Sequence, residues 1–177
     1  MNEPITIPYN LNRLGQAGDD LAFAANDGER AALARFADVL DVSGFEARIV
    51  LKKLSPNRFS LSYELAAAIT QACVVTLAPL EVRLERAFER ELQFTPNLRR
   101  DVAKDVVLGP DDEEAPEEID SLHYDLAGPL VEEFVLAIDP YPRAPGVEFA
   151  APLDPGDKPE NPFAALKNLK SGRESTK

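Results

Sequence analysis

The chain has 177 residues, 45% hydrophobic and 28% charged, and its 19 Lys and Arg against 31 Asp and Glu give a formal charge of −12. That size and balance fit one soluble globular domain with tails and exclude a wholly disordered chain, which would lack the apolar surface to offset its entropy. One cysteine and one histidine exclude an internal disulfide and a cysteine-rich zinc knuckle, and no apolar run approaches the length that crosses a bilayer.

The first residues, MNEPITIPYNLNR, hold no basic stretch followed by an apolar one, so no export signal is expected, and the lone cysteine suits a reducing cytoplasm. Ile5-Thr6-Ile7, β-branched and bracketed by Pro4 and Pro8, predicts an edge strand. Leu21, Phe23 and Ala25 alternate weakly as a second strand. Asn26 with Glu29 three residues later has the capping-box pattern, and Ala32, Leu33, Phe36, Ala37 and Leu40 recur at helical spacing. This predicts a helix near 28–40, ended by Asp41 to Gly44.

The period then changes. Phe45, Ala47, Ile49 and Leu51 alternate with Glu46, Arg48, Val50 and Lys52, and Phe59, Leu61, Tyr63, Leu65, Ala67 and Ile69 alternate with Ser60, Ser62 and Glu64. Ser55-Pro56-Asn57 between them supplies turn chemistry, so the two runs predict an antiparallel hairpin. From Leu80 to Phe94 the even positions are apolar except Arg86 and Arg90, which favours a further strand over a helix. The stretch 110–118 offers nothing to bury beyond Ala115 and is expected to be an acidic, mobile surface loop. A helix is predicted near 126–138, capped by Asp125, with Pro129 in its first turn and Pro140 and Pro142 stopping it. Beyond lies a Pro-rich extended arm ending in an amphipathic segment, 161–170, where Phe163, Leu166 and Leu169 recur at three-residue spacing.

These elements predict an α+β fold: an antiparallel sheet, mainly of residues 44–94, packed by two main helices. The domain is expected over residues 1–142, with the arm over 143–177.

The candidate functional residues divide by charge. Lys52, Lys53 and Arg58 at the hairpin end, with Arg83, Arg86 and Arg90 on the next strand, are candidates for RNA phosphate contact. The same charges also defend a strand edge, and Glu81, Glu85 and Glu89 lie among the arginines. Overall acidity works against RNA binding at long range, because phosphate affinity is built on released counterions. Asp111, Asp112, Glu113 and Glu114 are candidates for docking a basic partner, and Phe163, Leu166 and Leu169 for an apolar contact. The acidic run lacks the spacing and glycine of a calcium loop. Cys73, opening a Cys-x-x-Thr step, is read as a small buried thiol, because zinc needs four suitable ligands. His123 has no nucleophile or orienting group in a recognisable motif beside it and is read as a surface or capping residue. No phosphate loop, nucleophile elbow or HExxH helix is present. No catalytic residue, metal or cofactor is expected.

Three stretches together carry a resemblance. They are Ile69-Thr70-Gln71-Ala72-Cys73-Val74-Val75-Thr76-Leu77-Ala78-Pro79-Leu80, the acidic run leading into Asp125-Leu126 and Glu132-Glu133-Phe134-Val135-Leu136-Ala137-Ile138-Asp139-Pro140, and Asn161-Pro162-Phe163-Ala164-Ala165-Leu166-Lys167-Asn168-Leu169-Lys170. Their order and spacing resemble the YceD family, the large ribosomal RNA subunit accumulation proteins of bacteria and plastids. The resemblance implies a cytoplasmic, non-enzymatic ribosome-biogenesis factor supporting the synthesis, processing or stability of 23S rRNA. Ribosomal RNA or a large-subunit ribosomal protein would be its partner, with no membrane and no small-molecule substrate. An adaptor that docks a basic partner through the acidic loop, without touching RNA, is the alternative. Many relatives carry Cys-x-x-Cys where this chain has Cys73 and Thr76, and a further cysteine where it has Ala144-Pro145-Gly146-Val147. A structural zinc is therefore not expected here.

Overall fold

The computed structural model describes residues 3–96 and 116–147. In chain order it runs strand β1 (Pro8–Asn10), a 3-10 turn at Leu11–Arg13, β2 (Asp19–Ala24), helix α1 (Asp27–Phe36), β3 (Asp41–Ser55), β4 (Arg58–Ala72), β5 (Pro79–Phe94), β6 (Glu117–Ile119), β7 (His123–Asp125) and helix α2 (Ala127–Ala137). The architecture is α+β. A five-stranded sheet has the order β2-β3-β4-β5-β6, and β1 and β7 form a separate antiparallel pair.

The hairpin implied by Pro56-Asn57 is its centre, with Ile49 opposite Tyr63 and Leu51 opposite Leu61. Alternation sends Phe45, Ile49 and Leu51 of β3 and Phe59, Leu61, Tyr63 and Ile69 of β4 to one face, where all are buried. There Leu33 of α1 and Leu130 and Phe134 of α2 join the core, with Phe134 meeting Phe45 edge to face at 5.4 Å and Tyr63 stacked on Phe88 at 4.7 Å. β5 pairs with β4 along its whole length, as the even-position pattern requires. Gly18, at φ +77°, permits the tight entry into β2: a Cβ there would stand 2.6 Å from the Leu51 carbonyl oxygen.

Several expectations are corrected. Ile5-Thr6-Ile7 is not a strand; the pairing lies one step later, Pro8 opposite Asp125. Ile5 is buried instead, and the Ile7 N–H donates to the Asp125 carboxylate at 2.7 Å. The capping box of α1 is present on Asn26 and Glu29, but the helix ends at Phe36. Asp38 turns through φ +54°, the Leu40 N–H joins the Thr70 carbonyl at 2.9 Å, and Asp41 already belongs to β3. Asp41 to Gly44 therefore starts a strand, because pairing of Val42 with Ile69 outweighs the turn-forming residues around it. Glu117 and Glu118 are strand residues and not loop. They run parallel to Leu92 and Gln93, making the sheet mixed, and are anchored by buried Ile119 and the Thr95 N–H to Ile119 oxygen bond of 2.9 Å. The rest of the expected acidic loop, 110–115, and the arm from 148 onward lie outside the described residues. Finally, Leu126 is the N-cap of α2. Asp125, one residue earlier, accepts from the Ala127 N–H at 2.9 Å and so still satisfies one orphan donor of the first turn.

Candidate binding surfaces

The six basic candidates do not converge. Lys52 lies opposite Ser60 and Arg83 opposite Ala68, eight residues further along β4 and so about 26 Å away at roughly 3.3 Å per residue. Arg58 is paired with Glu91 at 2.7 Å. Arg90 projects to the helix side and holds Glu132 of α2 at 2.9 Å, with Glu133 at 3.7 Å. The Lys53 ammonium sits 5.9 Å from the centre of the Phe59 ring. Arg86 is exposed and donates to the Glu85 carbonyl oxygen at 3.3 Å. Among the described residues, Lys52, Arg83 and Arg86 are left without a carboxylate or aromatic partner. The remaining candidates, Asp111, Asp112, Glu113, Glu114, Phe163, Leu166 and Leu169, lie outside the described residues.

Cys73 is buried, as expected, at the turn between β4 and β5. The turn is fastened to the segment after α2: the Val74 N–H donates to the Pro142 oxygen at 2.9 Å and the Ala144 N–H to the Cys73 Sγ at 3.4 Å. The Thr76 hydroxyl, followed by the backbone N–H groups of Ala144, Thr76 and Val75, favours the thiolate and lowers the thiol to about 6. Exclusion from solvent acts in the opposite sense but is the smallest of these influences. A zinc ion does not fit this turn. Cys73 supplies the lone sulfur, Thr76 stands at the second thiolate position, and no group of three His, Cys, Asp or Glu side chains converges among the described residues. Hydrogen bonds to Sγ and to the Pro142 carbonyl tie the two segments directly.

His123 is the exposed residue of β7 and lies opposite Asn10, whose side-chain amide is 3.4 Å from Nε2. An apolar groove of about 380 Å³ lies between the N-terminal residues, Phe36 and the Gly128–Val135 face of α2, with Leu136 largely exposed on its rim.

A concavity of about 790 Å³ is on the other face of the sheet, away from the helices. Two cross-strand rows build it: Ala24, Glu46, Ala66, Glu85 and Ala22, Arg48, Glu64, Ala87. All eight are exposed. Arg48 is engaged by Asp20 through a bidentate pair at 3.0 and 2.6 Å, which holds the Asp20 carboxyl below and the Arg48 guanidinium above their ordinary ranges. Glu46, Glu64 and Glu85 have no ion pair among the described residues, and Glu89, two residues along from Ala87, accepts from the Ser62 hydroxyl at 3.1 Å. The candidate residues expected from charge clustering in sequence omit the carboxylates of this surface. Its signal was the alternation of the two runs: with a register shift between Lys53 and Ser55 bringing the apolar positions of β3 and β4 opposite one another, Glu46 faces Ala66 and Arg48 faces Glu64.

No helix among the described residues is long and apolar enough to cross a membrane. A family model described as the large ribosomal RNA subunit accumulation protein YceD matches residues 61–170, which spans β4 to α2 and continues beyond. No curated protein and no solved structure matches the chain.

Proposed function

Because the chain belongs to the YceD family of large ribosomal RNA subunit accumulation proteins, we propose that it supports 23S rRNA accumulation as a binding protein and not as an enzyme. The family's role supports a part in accumulating large-subunit rRNA. The finer reading is ours: a cytoplasmic factor that recognises a component of the pre-ribosomal particle and so protects or guides the RNA. What supports recognition over chemistry is the kind of surface the fold offers. A broad, open sheet face of charged and small side chains provides contact area, whereas a reaction centre gathers a few convergent groups in a pocket. Deleting the gene is expected to lower the ratio of large- to small-subunit rRNA in growing cells; an unchanged ratio overturns the proposal.

The choice of partner tilts toward protein. Arg58 and Arg90 are already neutralised by Glu91, Glu132 and Glu133, and Lys52 and Arg83 stand at opposite ends of the sheet. A phosphate backbone would meet carboxylates between them. This favours the adaptor reading, in which rRNA is reached through a basic protein. Crosslinking in cells separates the two: RNA adducts at Lys52, Lys53 or Arg58 support direct contact, and protein adducts alone support the adaptor.

A further inference from the structure

We propose that the open face of the sheet, centred on Glu46, Glu64 and Glu85, is the docking surface for a lysine- and arginine-rich polypeptide segment of a partner protein. This rests on the reading that the chain acts through protein contact in rRNA accumulation, and it moves the contact from the acidic run at 111–114 to the folded sheet.

Four observations carry it. The helices cover one face of the sheet, while the opposite face holds an open concavity of about 790 Å³. The floor is small: Ala24, Ala66 and Ala87 alternate with the carboxylates, so a polypeptide backbone can approach closely while its long cationic side chains reach outward. The charge is mainly negative: Glu46, Glu64 and Glu85 have no ion pair among the described residues, Arg48 is already held by Asp20, and Arg83, two residues before Glu85 on the same side of β5, is the cation beside them. Glu89 extends the negative strip along β5. The spacing is fixed, because Glu46 and Glu85 lie two strands apart, roughly 10 Å at the usual inter-strand distance. A carboxylate array at fixed spacing on a rigid sheet selects cations carried by a chain with matching spacing, and it repels a phosphate backbone.

The test measures binding of the full-length protein to a labelled peptide of alternating arginine and alanine residues, at two salt concentrations. Glu46→Gln/Glu64→Gln/Glu85→Gln is compared with Asp111→Asn/Asp112→Asn/Glu113→Gln, which changes net charge by the same amount. The sheet variant is expected to weaken binding about tenfold, since several exposed pairs are lost together, and the second variant less than about twofold. Equal weakening by the two variants, or none by the sheet variant, overturns the proposal. So does spermidine binding as tightly with the same residue dependence, which would make the face a site for small polycations. Self-association abolished by the sheet variant would assign the face to a second copy and likewise overturn it. Circular dichroism of the variants excludes loss of fold. In cells lacking the gene, the sheet variant is expected not to restore the rRNA ratio while the 111–113 variant does. Full restoration by the sheet variant overturns the docking surface and leaves the role in rRNA accumulation standing; no effect of deletion itself overturns that role.

Discussion

The two faces of the central sheet come from the same three strands and behave as different materials. On one, Phe45, Ile49, Leu61 and Tyr63 are buried against α1 and α2, and aromatic contacts fix their geometry. On the other, Ala66, Glu46 and Glu64 stand in water at the same level of the same strands. Strict alternation writes both at once, so each residue of β3 and β4 serves either cohesion or contact. Stability and binding should therefore be separable by choosing odd or even positions.

Four substitutions or titrations probe that separation, from the largest effect down. Phe134→Ala empties the space between α2 and Phe45 and is expected to cost about 3–5 kcal/mol in urea unfolding. Asn26→Ala removes the capping box that starts α1, and should cost about 1 kcal/mol by the same measurement. Tyr63→Phe sharpens the contrast from the inside. Its hydroxyl is buried with no hydrogen-bond partner among the described residues, and burial pushes the phenol well above its ordinary range. Removing that oxygen should leave stability unchanged or raise it by up to about 1 kcal/mol; a clear loss would mean that the hydroxyl is satisfied.

The last probe sits at the sheet's end. Absorbance of the thiolate at Cys73 should appear with a midpoint near pH 6 in the wild type and be absent from Cys73→Ser. The folded-state pKa is depressed, so the thiolate's stabilising contribution is present at alkaline pH and fades as pH falls through about 6. The stability difference between wild type and Cys73→Ser should widen as pH rises from 6 toward 9. A midpoint near the ordinary thiol value would show that Thr76 and Ala144 do not hold the sulfur as charged.

The central hairpin was readable because two long alternating runs flank a turn, with a register shift between Lys53 and Ser55 bringing their apolar positions opposite one another, and β5 because its large apolar residues keep one parity across sixteen positions. What failed was local signal opposed by long-range pairing. Glu117-Glu118 has loop composition, yet β5 offers Leu92 and Gln93 as partners and Ile119 finds a buried place. Asp41 to Gly44 looks like a helix stop, yet β4 lies alongside to pair with it. The basic candidates were grouped by nearness in sequence, but Arg83 and Arg86 differ in parity and so leave the strand on opposite sides, and Arg90 is committed to α2. The carboxylates of the open face are 18 to 39 residues apart and become neighbours through strand pairing alone.

The strand pair β1–β7 has a consequence for the order in which the molecule is made. Residues 7 to 11 find their partners at 122 to 126: Ile7 with Asp125 and Leu126, Tyr9 with Tyr124, Leu11 with Leu122. The β3–β4–β5 meander, built from neighbours in the chain, can assemble as it leaves the ribosome. Residues 8 to 10 wait for more than a hundred further residues before their strand partners are made. They are made ahead of the meander and paired after it, once β7 has emerged.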